Sequence, residues 1–334
     1  MSTQSSDQGF DQSFDIVGID MPCLDLNVGV DVFPKPNEGR RVRQHTWQGG
    51  GKVATGLVAA ARLGARCAII GAVGGDLYGK FCAGDLARHG VDVAALKVDP
   101  PKTTSLSVVV SDRESGGRSI LSHPGSVTLP PLDDAARAMI RRAKCLFLAS
   151  ASGVHAEAAQ IARESGVKVL MDADDTSPAM LGMIPRIDWF IASEYFYQHQ
   201  YGDGDFEHCL RALADQGPEV VVFTLGAGGC AGLSKEGSKQ GFFRLPAFRV
   251  DVVDTVGAGD VFHGAFAAAY TRGGNAEGAA RYASAVAAIK CTRIGGRAGI
   301  PDDATVERFL RDGFIDYTEI DRRVEFYQRG LEHV

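Results

Sequence analysis

Short apolar runs alternate along this chain with stretches of helical periodicity, and that alternation constrains the fold more than any other feature. Residues 14–19, 66–70, Cys145–Leu148, 167–171, 189–191 and Val220–Thr224 read as strands buried on both faces. Between them, residues 52–63, Leu77–Arg88, 132–142, 155–164 and 206–215 carry helical patterns. Such an alternation specifies an α/β fold of three layers, a central mostly parallel sheet flanked by helices. Several runs end in a small or acidic residue: Asp20, Asp172, Ser193 and Gly226. Ligands of such folds bind beyond the carboxyl ends of the strands, so chemistry is expected there.

Residues 26–47 and 103–127 break the pattern. They alternate like strands without an intervening helix, and the second stretch carries Gly116-Gly117 as a turn signal. They are expected to pair as a small separate β sheet, a lid over the crevice. Residues 306–334 read as helix. No repeat or low-complexity linker divides the chain, so residues 14–334 are expected to form one domain behind a disordered tail over residues 1–13.

Composition narrows the function classes. With 45% apolar and 23% charged residues, the 334-residue chain is a globule rather than a disordered chain or a small disulfide scaffold. Its 35 Lys+Arg against 41 Asp+Glu give a formal net charge of −6, which argues against nucleic acid as a partner. An anionic ligand stays open, because backbone N–H groups at a helix start bind phosphate without net positive charge. No run approaches the ~20 apolar residues that span a bilayer. The polar start, with Asp7 and Asp11, does not read as a signal peptide, so neither a membrane partner nor export is expected. Seven scattered cysteines, none in a CxxC pair, read as reduced thiols in a cytoplasmic protein without a structural zinc site.

The most informative segment is Asp254-Thr255-Val256-Gly257-Ala258-Gly259-Asp260-Val261-Phe262-His263-Gly264-Ala265-Phe266. Gly257, Ala258 and Gly259 at a helix start allow tight curvature and leave N–H groups unpaired. With the positive end of the helix dipole, those donors form an anion hole suited to a transferring phosphoryl group. Asp260 then falls in the first turn, placed to accept a proton from an attacking hydroxyl. The plainer alternative is an aspartate that only complements the dipole; the length of the run favours the chemical reading.

This segment resembles the C-terminal signature of the ribokinase-like carbohydrate kinases, the PfkB family, which reads D-T-x-G-A-G-D. Residues 48–56, Gln-Gly-Gly-Gly-Lys-Val-Ala-Thr-Gly, followed by Arg62-Leu63-Gly64, are similar to its N-terminal Gly-Gly signature. Residues 71–76 with Tyr78-Gly79, and residues 224–229, also match family patterns, and the resemblance covers roughly residues 14–309. It implies a ribokinase-like fold and ATP-dependent transfer, with Mg2+, to a hydroxyl of a small sugar. Asp260 would be the base and the amides of Gly257, Ala258 and Gly259 the anion hole. On the substrate side it implies Asp25, Gly50, Gly51, Lys52 and Thr55, and on the nucleotide side Thr224, Gly226, Gly228 and Ser284. For Asp254, with carbonyls near Val256 and from Arg293 to Gly295, it implies the monovalent-cation (K+) site of some members; an aspartate capping a turn accounts for Asp254 almost as well. Lids of related kinases often pair between subunits, which implies a homodimer.

The chain also departs from the family. Thr55 stands where the Gly-Gly signature has Asn, and Ser193-Glu194-Tyr195-Phe196 replaces an N-x-x-E motif linked to magnesium and phosphate. An acidic residue that ribokinase uses on its sugar is replaced near Ala151 or Ser152. These changes weaken ribose specificity and support, as the alternative, a non-catalytic sugar or nucleotide sensor on the same fold. Asp260 and Gly257 to Gly259 oppose that alternative. Residues 74–81 nearly match a P-loop, but Phe81 stands where the magnesium-binding Ser/Thr belongs. No G-x-G-x-x-G follows the first strand, which removes a Rossmann dehydrogenase. Arg41, Arg43 and His45, sharing one strand face beside Arg40, read as a solvated lid edge rather than a phosphate handle.

Overall fold

The computed structural model of the protein describes residues 14–332 apart from 203 and 236–240. The tail expected over residues 1–13 lies outside the described residues. The chain runs β1 (Ile16–Asp20), β2 (Leu24–Val30), β3 (Gln44–Gly49), α1 (Lys52–Arg62), β4 (Cys67–Gly74), α2 (Leu77–Arg88) and β5 (Val91–Asp99). It continues through β6 (Leu106–Asp112), β7 (Arg118–His123), α3 (Asp134–Arg141), β8 (Cys145–Leu148), α4 (Gly153–Glu164), β9 (Lys168–Ala173) and α5 (Pro178–Met183). Next come β10 (Trp189–Ser193), α6 (Glu194–Tyr201), α7 (Phe206–Ala214), β11 (Val220–Thr224), β12 (Cys230–Ser234) and β13 (Gly241–Leu245). Four helices close it: α8 (Ala258–Thr271), α9 (Ala276–Lys290), α10 (Asp303–Asp312) and α11 (Thr318–Gln328).

Nine strands form the main sheet in the order β13-β12-β11-β10-β9-β8-β1-β4-β5. All pair in parallel except β12 and β13, which fold back antiparallel at one edge. Alternate side chains feed two cores. Ile16 packs into the layer of α1, α2 and α8 to α11, and Val17 into the layer of α3 to α7. Strands buried on both faces are why the runs read as continuous apolar segments rather than alternating ones. The predicted three-layer fold is the one observed.

The lid is a separate four-stranded sheet, β3-β2-β6-β7, drawn from the two stretches that lacked helices. Strand β2 pairs antiparallel with β3 and parallel with β6, and β7 is exposed along its whole length. Its base is tied to the main body. Gln48 Nε2 donates to the Ile294 carbonyl at 2.9 Å, while its Oε1 accepts from the amides of Arg297 at 2.7 Å and Ala298 at 2.9 Å. Ser111 Oγ on β6 donates to Asp254 Oδ1 at 2.9 Å.

Two local expectations need correction, and residues 248–253, which alternate in sequence like a strand, run as a half-exposed loop. Residues 306–334 are not one helix: α10 stops at Gly313, whose φ of 76° is left-handed, and α11 follows. Strand β3 begins at Gln44, so Arg41 and Arg43 do not share a strand face with His45; Arg43 instead lies 3.4 Å from Asp31 on the exposed rim. No helix among the described residues is long and apolar enough to cross a membrane.

Candidate active site

Helices α1 and α8 cross where glycines meet. A Cβ on Gly264 would fall 1.9 Å from the Gly56 carbonyl oxygen, so only glycine permits the approach. The contact brings the two helix starts, each at the carboxyl end of the main sheet, to one mouth. Gly257 precedes α8 with φ 71°, a left-handed value that costs glycine little, and supplies no side-chain cap. By contrast, α2, α3 and α10 are capped by Asp76, Asp133 and Asp302. The first turn of α1 is served by Asp20, whose Oδ2 accepts from the Ala54 amide at 2.9 Å. Of the three expected hole donors, Ala258 N–H is already given to the Thr255 carbonyl at 3.2 Å. The amides of Gly257, Gly259 and Asp260 have no protein acceptor among the described residues. Three amides at the start of α8 are therefore left without protein acceptors, with that of Asp260 in place of Ala258 as the third.

Around it stands an acidic cluster with one cation. Burial, then repulsion from Asp172, raises the Asp260 carboxyl well above its ordinary range, with Lys52 pulling the other way. Burial lowers the Lys52 ammonium, but Asp172, Asp174 and Asp260 outweigh it and the net shift is upward. Lys52 pairs directly with Asp174. Asp25 on β2 lies against the Gly-Gly turn, where a Cβ on Gly50 would fall 2.2 Å from its Oδ2 and one on Gly51 2.8 Å from Asp20 Oδ2. Burial pushes the Asp25 carboxyl up to about 6. Asp25, Gly50, Gly51, Lys52 and Asp260 thus converge.

On the far side of Gly259 opens a cleft of about 840 Å³ lined by Thr224, Gly226, Gly228, Ser284, Ala258 and Gly259. Thr224 ends β11, Gly226 to Gly228 form one tight turn, and Ser284 comes from α9. All four residues expected on the nucleotide side meet there. Phe248, Val250 and Val252, from the loop before α8, add an apolar wall.

Thr55 is different. It is buried, and its hydroxyl accepts from Arg297 Nε at 3.4 Å. Arg297 also pairs with Asp85 at 2.7 Å, both side chains fully buried, and donates from Nη2 to the Gly50 carbonyl at 2.8 Å. Thr55 therefore supports the Gly-Gly turn from behind. Ser193 caps α6 by accepting from the Phe196 amide at 3.3 Å, and Phe196 is a core residue. The segment replacing N-x-x-E is spent on folding.

The cation site also needs correction. Asp254 is buried and accepts from Val256 N at 3.0 Å and Gly295 N at 2.8 Å, as a turn-capping aspartate does. Of the oxygens expected for K+, the Val256 carbonyl accepts from Lys290 Nζ, which also donates to the neighbouring Asp254 carbonyl, and the Ile294 carbonyl accepts from Gln48. Arg293 turns outward to Asp321 at 2.7 Å. The residues present do not fit K+.

Sequence reasoning missed two contributors. Asp174 carries no strand-end signal. His263 sits inside the motif, one turn after Gly259, but nothing in its spacing marks it. Its Nε2 lies 3.2 Å from the Ile191 carbonyl and 3.5 Å from Asp172 Oδ1, so it links α8 to β9 and β10.

Comparison with known proteins agrees with this geometry. The ribokinase of Haemophilus influenzae is 30% identical over 292 residues, covering 85% of this chain and 94% of that protein. The aminoimidazole riboside kinase of Salmonella typhimurium is 32% identical over 241 residues, covering 64% of this chain and 71% of that one. The Arabidopsis thaliana ribokinase, solved with ribose and ATP, superposes with a TM-score of 0.77 at 25% identity, over 90% of this chain and 99% of that chain. The model of the pfkB family carbohydrate kinases matches residues 12–303. The chain belongs to the pfkB family of carbohydrate kinases, ATP-dependent enzymes that phosphorylate small sugars.

Proposed function

We propose that this kinase phosphorylates a primary hydroxyl of a small sugar or sugar derivative, with Asp260 as the base. The reading is carried by one observation: Asp260 stands in the first turn of a helix whose leading amides lack protein acceptors. Asp25, beside the Gly-Gly turn, accepts hydrogen bonds from two adjacent sugar hydroxyls and holds the third in line. Asp260 takes the proton of that hydroxyl as its oxygen attacks the γ-phosphorus of ATP and the bond to ADP breaks. The amides of Gly257, Gly259 and Asp260 stabilise the charge that gathers on the equatorial oxygens. Lys52 offsets part of the negative charge of the acidic cluster that an anionic nucleotide must approach.

The nucleotide lies along the 840 Å³ cleft, with its base against Phe248, Val250 and Val252 and its phosphates toward Gly259. Magnesium, bound with ATP, supplies neutralisation of the phosphate charge. No cluster of three or more His, Cys, Asp or Glu side chains suited to a metal occurs among the described residues. The lid closes over the sugar and keeps water from the γ-phosphate. Exposed β7, with Ile120 and Leu121, is the surface on which two lids pair in a homodimer, which light scattering checks. Free cysteines and the need for ATP support a cytoplasmic location.

The test is ADP formation from Mg-ATP over D-ribose, 2-deoxy-D-ribose, D-fructose and aminoimidazole riboside, comparing the wild type with Asp260→Asn. A general base contributes about 10²–10⁴-fold, so kcat should fall by that order while sugar binding persists. Equal turnover by the variant overturns the assignment.

A further inference from the structure

Lys290 is the last residue of α9, and its side chain is fully buried. Lysine is almost never found fully buried without a partner. Here the side chain runs beneath the loop that leads into α8, and Nζ donates to the carbonyls of Asp254, at 3.0 Å, and Val256. Those are the two alternate carbonyls immediately before the Gly257 turn. The neighbouring backbone is held from the same side, since the amides of Val253 and Asp254 both donate to the Cys291 carbonyl, at 2.8 and 3.1 Å. The Asp254 carboxylate is saturated by Ser111 Oγ, Val256 N and Gly295 N and keeps this turn in register from the opposite side.

We propose that the Lys290 ammonium is a built-in replacement for a monovalent cation, so this kinase needs no K+. A bound K+ ion would hold these carbonyls by charge and so orient the peptides that lead to the anion hole. A tethered ammonium delivers the same unit charge and the same carbonyl contacts, with the ion's binding equilibrium removed. With both oxygens engaged and the space between them filled by Nζ, no room is left for a second cation. Lys290 touches neither sugar nor nucleotide; it is a positioning residue acting through residues 254–257. Its kinetic consequence rests on the reading of the Gly257 and Gly259 amides as the hole. The exclusion of K+ does not.

The experiment compares the wild type with Lys290→Ala and Lys290→Met in the chlorides of tetramethylammonium, Na+ and K+ at equal ionic strength. Three readouts are taken: Tm by calorimetry, ADP affinity by titration calorimetry, and turnover over the sugar panel. The wild type should give the same Tm, and turnover within about twofold, in all three salts. Lys290→Ala should lose stability and about tenfold in turnover in tetramethylammonium, the scale of one lost charge-assisted hydrogen bond. K+ should restore both selectively, because the vacated space presents two carbonyls. Lys290→Met, which fills the space without charge, should lose as much and recover nothing. A wild type whose Tm or turnover rises several-fold with K+ overturns the proposal, as does a Lys290→Ala loss identical in all three salts, which would assign the side chain to packing alone. Should Lys290→Ala not fold, the wild-type comparison decides alone. The Tm and K+ arms read out even if Asp260 proves not to be the base.

Discussion

His263 Nδ1 lies 2.6 Å from the carbonyl oxygen of Gly259, one turn earlier on α8. The other ring nitrogen faces the Ile191 carbonyl and Asp172, so one imidazole joins the first turn of α8 to the ends of two strands. It fixes where the Gly259 and Asp260 amides point. Replacing His263 with Ala should lower kcat by about tenfold, through misplaced hole donors, and leave the KM for sugar nearly unchanged. Steady-state kinetics over the panel separates the two; a rise in KM with kcat intact would contradict the assignment.

Asp25 gives a pH prediction with a definite sign. Its carboxyl is raised to about 6, against an ordinary value near 3.9 in the unfolded chain, so the fold binds more protons between those values. The stability it contributes is fully present below about pH 4 and is lost as pH rises through about 6. Asp25→Asn removes that penalty and should raise stability at pH 7 by on the order of 2 kcal/mol while sugar phosphorylation is lost. Denaturant midpoints at pH 4 and pH 7 check it, since the gain should vanish at the lower pH.

The raised Asp260 carboxyl should appear in the kinetics. A base works deprotonated, so kcat/KM should fall with decreasing pH along a limb displaced upward from the usual carboxylate range. Lys52→Met removes the cation that opposes the shift and should move that limb further up. A limb unmoved by the substitution would mean that Lys52 does not act on Asp260.

Arg297 and Asp85 form an ion pair with both side chains fully buried, and Tyr327 Oη donates to Asp85 Oδ1 at 2.7 Å. Cutting one partner of such a pair leaves an uncompensated charge. Arg297→Met should therefore cost about 3–5 kcal/mol in denaturant unfolding. Because Arg297 also holds the Gly50 carbonyl, sugar affinity should fall in whatever fraction stays folded.

Val252 is 60% exposed on the wall of the nucleotide cleft, so a charge there should spare the fold. Val252→Asp should raise the KM for ATP by about tenfold, through lost apolar contact and like-charge repulsion, with Tm unchanged. An unchanged KM would remove this loop from the nucleotide site.

Most of the main sheet was legible because its strands are buried on both faces: β8 and β11 fall where their apolar runs do, and the β1 run ends at Asp20. Strand β5 escaped notice because it is half-exposed and Asp92 and Lys97 confine its apolar run to four residues, two of them alanine. Strand β12, Cys-Ala-Gly-Leu-Ser, is built of small residues that only the antiparallel partners β11 and β13 make a strand. Residues 248–253 alternate like a strand but find no neighbour to pair with. At the site, Asp260, Asp25, Thr224, Gly226 and Gly228 stand out because each lies at a glycine-rich turn or a strand end, whereas Ser284, inside α9, came only from the family resemblance. Lys290 was not, since it lies in the fully helical pattern of α9 and reaches the hole only through a bond 34 residues back in the chain. Thr55 was misread for the related reason that its partner, Arg297, is 242 residues away.

The bolting of β6 to residue 254 and of β3 to residues 294–298 has a mechanical consequence. Strand β6 grips the loop that approaches α8 and β3 grips the segment after α9, so the base of the lid is pinned at two points. On the closure proposed above, the edge left free to move is exposed β7 and the turn before it, so a sugar would enter at that rim while the groups below stay in register.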